Sequence, residues 1–290
     1  MLTRRALTKL FLAAVAAGFA LQFDLGDIVP SAFAAGRGMT ESTYMGRSFL
    51  LYKPSSVPEG KKMPLLIVLH GGLGNADYIA KELGMNQVAE KRGFMVAYLN
   101  GTGGQRFMKN MRTWNAGGGC CGSALKENTD DIGFIQGFIK DMSAKYPVDA
   151  DRLYMAGHSN GAMMGYRFVC EKPGVVAAFV SVSGTLTASN QCHLPGLQVL
   201  DIHGENDQNV PVEGGVGRKS VTKLNYRSAY ETNRILKDAG ASIQMKIVPG
   251  AGHNIGDISQ KLLSSEGATL AETMERFLRG KNKTSLQMKP

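Results

Sequence analysis

Three residues in the chain have the types and settings that acyl transfer requires. Ser159 lies in "AGHSNGAMMG" (156–165), between Gly157 and Gly161. An apolar run, "RLYMAG", precedes it and an amphipathic stretch follows. A serine hydroxyl becomes a nucleophile only beside a base that takes its proton and an acid that orients the base. His253 in "VPGAGHNIG" and Asp207 in "DIHGENDQNVP" supply those types, each just beyond an apolar run. Glu205 is the rival acid, and Asp201 reads as a buried hydrogen-bonding residue. A serine between small residues at a strand-to-helix junction forms a sharp elbow that lifts its Oγ above the strand end.

The same chemistry needs donors for the negative charge that develops on a carbonyl oxygen. The backbone N–H of Asn160, directly after the serine, is one. "VLHGGLGN" (68–75) presents another on a paired-glycine turn, at Gly72 or Leu73. The order Ser159, Asp207, His253 is that of an α/β-hydrolase. The chain has no HxxH or HExxH helix that would make His253 a metal ligand, and the chemistry calls for no cofactor and no metal.

Elements capable of bringing these residues together alternate along the chain. Strand-like runs occur at "RSFLLY", "MPLLIVLH" (63–70), "GFMVAYL" (93–99), "RLYMAG" (152–157), "AAFVSVSG" (177–184), "LQVLDIHG" (197–204) and "IQMKIV" (243–248). Several are continuously apolar, as parallel strands covered on both faces are. Helical spacing marks 129–146, with Ile132, Ile135, Phe138, Ile139 and Met142 on one face, Thr129 or Asp130 as cap and Pro147 at the exit. Segments 220–240 and 269–280 show the same period and end at glycines. Strand–helix alternation without repeat or linker predicts one α/β domain over 36–280, a mostly parallel central sheet with helices on both faces. The glycine-rich segment 101–129, with Cys120, Cys121 and the single Trp114, reads as a functional loop.

"MLTRRALTKLFLAAVAAGFALQ" followed by "SAFAA" has the layout of an export signal, over 1–35, and its Thr3-Arg4-Arg5 resembles a twin-arginine signal. An extracellular or periplasmic location follows, and disulfides are permitted there. Cys170 and Cys192 flank a helix–strand unit and are placed to join. Adjacent cysteines rarely bridge each other, so Cys120 and Cys121 are expected to have different partners. The net charge of +9 is dispersed, without an arginine cluster or basic–aromatic interleaving, which argues against nucleic acid as partner. No run is suited to stable membrane insertion. Residues 281–290 read as a basic flexible tail, and the protein as a monomer or weak homodimer.

"LHGGLGN", "RTWNAGGGCCG", "DDIGFI", "GHSNGAMMGYRFVCEKP", "VSVSG", "IHGENDQNVPVEGG" and "GAGH" together resemble the secreted polyhydroxybutyrate depolymerase-like esterases, relatives of feruloyl and acetylxylan esterases. The resemblance runs over roughly 45–280. It implies Ser159 as nucleophile, Asp207 as acid and His253 as base of a serine carboxylic ester hydrolase. It also implies Trp114 and Asn115, with His70 and His158, as substrate-binding residues of the cleft, and Asp130–Asp131 as structural. The implied substrate is a small or oligomeric ester, first a 3-hydroxybutyrate oligoester, alternatively a feruloyl or acetylxylan-type ester. A catalytically silent envelope or polysaccharide-binding protein is the alternative of another class. Members of that family commonly carry a Trp-Pro pair just after the histidine, where this chain has Asn254-Ile255-Gly256. The chain ends soon after its last helix, without the binding module of polymer-degrading members, which favours oligomers over granules. The choice of acyl group rests on 101–129 and 208–219.

Overall fold

The seven residues "MPLLIVL" contain no charge and, apart from Pro64, are buried. Such a run is stable only with packing on both of its faces, and that requirement shapes the whole molecule. The computed structural model describes residues 38–103, 110–188 and 191–283. The export signal expected at 1–35 lies outside the described residues, as do 284–290 of the expected tail. From Arg37 onward the chain is a single unit.

The elements follow in this order. A hairpin of β1 (Met39–Tyr44) and β2 (Arg47–Tyr52) leads to β3 (Met63–Leu69), helices α1 (Ala76–Leu83) and α2 (Met85–Arg92), and β4 (Met95–Leu99). A small hairpin, β5 (Thr102–Gly103) with β6 (Arg112–Thr113), precedes α3 (Gly122–Lys126) and α4 (Asp131–Lys145). Then come β7 (Val148–His158), α5 (Asn160–Glu171), β8 (Ala178–Val182) and β9 (Gln198–Gly204). A second small hairpin, β10 (Gly215–Val216) with β11 (Asn225–Tyr226), leads to α6 (Ala229–Asp238), β12 (Ser242–Val248), α7 (Ile255–Glu266) and α8 (Leu270–Leu278).

The central sheet runs β1-β2-β4-β3-β7-β8-β9-β12. From β4 to β12 all neighbours are parallel, while β2 meets both β1 and β4 antiparallel. Side chains of β3 alternate between two cores. Leu65, Ile67 and Leu69 join α4 and α5 on one face; Leu66 and Val68 join α1, α2, α7 and α8 on the other. Seven of these strands match the apolar runs of the sequence. Chain order reverses direction across the sheet between β3 and β7, which opens a crevice at the carboxyl edge.

Local signals account for most element ends. Asp130 caps α4, accepting from the Gly133 N–H at 2.8 Å. Thr269 and Glu272 form a reciprocal capping box at the start of α8. The helix expected over 220–240 is confined to 229–238. Ser220, Thr222 and Tyr226 instead bond to one another through their hydroxyls, and Val221 is 80% exposed. Hydroxyl side chains that satisfy each other in a turn compete with helix formation.

Cys170 bonds Cys192 as expected. Cys120 and Cys121 do not have separate partners; they are joined to each other. With Cys170 and Cys192 taken, the described residues leave them no other cysteine.

Candidate active site

Ser159 sits between the last residue of β7 and the first of α5, with φ 53° and ψ −120°. A non-glycine residue adopts that conformation only where its surroundings hold it. Here the Ser159 N–H donates to Val182 O at 2.9 Å, and the Met163 N–H returns to Ser159 O at 2.9 Å. A Cβ on Gly157 would collide with the backbone of Gly161, and one on Gly161 with the carbonyls of Leu69 and His70. Both glycines are therefore required by close approach of backbone, which is what lets α5 start directly over the strand ends.

His253 lies in the loop between β12 and α7. Asp257 secures that loop by accepting from the Gly252 N–H at 2.6 Å, and the Asn206 N–H donates to Ala251 O at 2.7 Å. The imidazole Nε2 is 2.9 Å from Ser159 Oγ and Nδ1 is 2.7 Å from Asp207 Oδ2. Asp207 lies just beyond β9, and its Oδ1 accepts from the N–H groups of Asn209 and Val210 at 2.8 and 2.9 Å. Burial pushes the Asp207 carboxyl upward, but hydrogen bonds from His203, His253 and Val210 outweigh it and hold the group well below the ordinary carboxylate range. A charged Asp207 draws the His253 proton to Nδ1 and leaves the Nε2 lone pair facing Oγ. Glu205 is exposed and accepts from the Gly250 N–H at 2.8 Å, so the rival acid is directed away from the histidine. Asp201 is buried, as its sequence context implies, and accepts from Asn233 Nδ2 at 2.9 Å.

Gly72 and Asn160 present backbone N–H groups that bond to nothing among the described residues. The Gly71–Gly74 turn lies against the elbow, with a Cβ on Gly72 3.5 Å from that of Asn160. Leu73 does not share this role. Its N–H donates to Arg112 O at 2.8 Å and is already satisfied. The donor pair open to a carbonyl oxygen is thus Gly72 with Asn160. The Asn160 side chain faces the other way, accepting from Trp114 N at 2.7 Å and donating to Trp114 O at 2.9 Å.

Trp114 is fully buried and does not line the cleft. Its indole Nε1 donates to His70 O at 3.0 Å, so it anchors the elbow to the glycine turn. Asn115 is buried with it and donates its N–H to Asp131 at 2.7 Å. Asp131, in turn, takes an ion pair from Arg47 at 2.5 Å. His70 is also enclosed, with Nδ1 2.8 Å from Gly71 O and Nε2 accepting from the Gly101 N–H at 3.0 Å. The substrate-contact role expected for these three is therefore replaced by a structural one. The sequence shows a conspicuous tryptophan but not the close packing around it. His158 does border the cavity, where its Nε2 donates to His253 O at 2.9 Å. Burial lowers both rings, His70 to about 4 and His158 to about 3. Protonating either would place an extra N–H in a desolvated site.

One residue of consequence has no conspicuous sequence signal. His203, on the same face of β9 as Asp201, donates from Nε2 to Val210 O at 2.7 Å and lies 3.4 Å from Asp207 Oδ2. Hydrogen-bonding and charged neighbours Asp207 and Asp201 raise its affinity for a proton despite the burial that opposes it. The only trace in "DIHGEND" is the two-residue spacing of Asp201 and His203, which puts both on one strand face.

The cavity over Ser159 has a volume of about 700 Å³. Leu73, Tyr78, Leu125 and Val221 form apolar parts of its wall, while Ser220, Thr222 and Tyr226 line it with hydroxyls. Lys126 and Lys219 also reach it.

The family model of the esterase PHB depolymerases matches residues 47–224. "Putative esterase NocK" of Nocardia uniformis subsp. tsuyamanensis is 31% identical over 55% of this chain and 44% of its own length. A bifunctional acetylxylan esterase/xylanase of Neocallimastix patriciarum is 27% identical over 72% of this chain, and feruloyl esterase B of Piromyces equi is 29% identical over 59%; each alignment takes in 31% of the relative. The chain thus spans less than half the length of these curated relatives. Among solved structures, an S-formylglutathione hydrolase from Agrobacterium tumefaciens superposes with a TM-score of 0.59 at 10% identity, covering 83% of this chain and 93% of that one. A carboxylesterase from Mesorhizobium loti gives 0.57 at 17% identity, covering 84% and 99%. These superpositions establish the α/β-hydrolase fold, and at identities this low they speak of the fold alone.

Proposed function

Because the chain belongs to the PHB depolymerase family of esterases, we propose that it is an exported serine esterase acting on short 3-hydroxybutyrate oligoesters. The observation that carries the reading is the continuous path Asp207 Oδ2···Nδ1 His253 Nε2···Oγ Ser159, at 2.7 and 2.9 Å. In this mechanism His253 Nε2 takes the Oγ proton as Oγ attacks the ester carbonyl, and Asp207 stabilises the imidazolium. The N–H groups of Gly72 and Asn160 receive the oxyanion. Collapse expels the alcohol, protonated by His253. Water, deprotonated by the same ring, then releases the acid and restores Ser159.

Two features support an aliphatic oligoester. The apolar side chains of Leu73, Leu125 and Val221 on the wall suit an aliphatic chain, and burial of Trp114 takes the one indole out of the cleft, leaving Tyr78 and Tyr226 as its aromatic lining. Feruloyl or acetylxylan-type hydrolysis is the second reading, favoured by the relatives of that description. The Cys170–Cys192 bond is in keeping with export to an extracellular or periplasmic space.

Turnover of 3-hydroxybutyrate trimer, methyl ferulate and acetylated xylan, measured side by side with Ser159→Ala as blank, tests the assignment. The trimer is expected to have the highest kcat/KM, and Ser159→Ala to abolish turnover of all three. A methyl ferulate or acetylxylan rate above that of the trimer transfers the assignment to the second reading. No turnover of any ester leaves a binding protein on a hydrolase scaffold.

A further inference from the structure

Among the described residues, and apart from histidine, the titratable charges lining the cavity over Ser159 are Lys126 and Lys219, and neither Asp nor Glu lines it. The two lysines come from separate insertions. Lys126 ends α3, in the segment between β6 and α4. Lys219 lies between β10 and β11, where its N–H donates to Gln208 O at 2.9 Å, one residue from Asp207. The two insertions meet over the cleft, since a Cβ on Gly119 would stand 3.4 Å from Leu224 Cδ1. Each wall therefore contributes one lysine to the lining of the same space.

An exposed lysine is ordinarily a solvated surface charge. Among the described residues Lys145 pairs with Asp141 at 2.9 Å and Lys246 with Glu266 at 2.7 Å, while the other lysines form no ion pair; what marks Lys126 and Lys219 is their place on the cavity wall. Lys126 and Lys219 have no such partner among the described residues. Beside them stand Leu73, Leu125 and Val221, apolar walls that concentrate a field of one sign. An uncompensated positive pair in a cleft lined in part by hydrocarbon attracts a carboxylate and gains nothing from a neutral group.

We infer that the cleft selects esters carrying a free carboxylate remote from the scissile bond, as the acid-ended oligomers of a hydroxy acid do. The inference rests on the esterase reading of the same site and names its substrate class. Hydrolysis consumes one water, breaks one acyl–oxygen bond and yields an acid and an alcohol. For a hydroxy-acid oligomer the new acid ionises at neutral pH, so each cut creates another anionic chain end. A neutral polymer interior is then a poor substrate until ends accumulate.

The test uses a matched pair of esters, p-nitrophenyl hydrogen adipate and p-nitrophenyl methyl adipate, with wild type, Lys126→Met/Lys219→Met and Lys126→Glu/Lys219→Glu. The readout is the ratio of kcat/KM for the anionic ester to that for the neutral one. In the wild type it is expected to be about fivefold above unity in ~20 mM salt, chiefly through KM, and to fall toward unity in ~1 M salt. The methionine pair should bring it near unity and the glutamate pair below unity. A ratio that is the same in wild type and both variants, with both esters turned over, overturns the inference and leaves the esterase reading standing. Turnover of neither ester overturns both. Preference for the anionic aryl ester without hydrolysis of 3-hydroxybutyrate trimer supports the carboxylate preference and removes the oligoester assignment.

Discussion

On the floor of the cavity each group of the proposed triad is held by several contacts, whereas on its rim the side chains of Lys126, Lys219 and Val221 hold nothing. Ser159 is fixed by β8 and by α5, Asp207 by His253 and the N–H groups of Asn209 and Val210, and His253 by Asp257 through the loop before it. Lys126, Lys219 and Val221 are exposed and support no neighbouring element. The difference separates two kinds of specification. On the proposed mechanism, reaction type rests on residues at the strand ends, which cannot change without disturbing the sheet. Substrate preference is written into two loops, where replacement costs the fold little.

The largest break in that comparison is expected at Asp207. Asp207→Asn leaves the hydrogen-bond geometry but reverses the preferred His253 tautomer, and kcat/KM on a p-nitrophenyl ester should fall on the order of 10³- to 10⁴-fold. Trp114→Ala should act through stability. Removing a fully enclosed indole that also bonds His70 O is expected to lower the unfolding free energy by about 3–5 kcal/mol in urea titration. An unchanged unfolding midpoint would return Trp114 to the rim.

Acid should reveal the floor as well. His70 and His158 stay neutral in the folded chain to about 4 and about 3, against an ordinary 6.5. Between those values the unfolded chain binds more protons, so stability is full above pH 6.5 and declines as pH falls toward 4. The contribution of each ring is on the order of 3 kcal/mol, and His70→Gln is expected to flatten part of the decline in thermal melts taken from pH 7 to 4. The smallest effect should come from Glu205→Gln. Its carboxylate faces Gly250 rather than His253, and activity is expected to stay within about twofold. A loss comparable to that at Asp207 would reverse the assignment of the acid.

How much of this was legible in the sequence follows the same division. The strands were readable because β3, β4 and β8 are apolar on both faces. The residues that meet at Ser159 were readable because each lies just past such a strand. α1 carries its own signal in Ala76, Ile79, Ala80 and Leu83, between the cap Asn75 and Gly84. Trp114 was misleading because residue type does not reveal burial. A tryptophan in a glycine-rich loop suits a cleft wall as well as an anchor. The helical period over 220–228 failed for a similar reason, since spacing does not reveal that three hydroxyls there bond to one another. Lys126 and Lys219 left no mark at all, because what matters about them is that both line one cavity on which, among the described residues, no Asp or Glu stands.

The reacting residues also sit far apart along the chain. Ser159 and His253 are separated by 94 positions, and His253 follows β12, which joins the sheet at its edge beside β9. Contacts of such long sequence separation form late, since the loop between them must close first. During refolding, return of ester hydrolysis should therefore lag behind return of helical signal and mark the docking of the final strand. On the proposed mechanism, a chain emerging from synthesis has its nucleophile long before its base, and stays inert toward esters until that strand is in place.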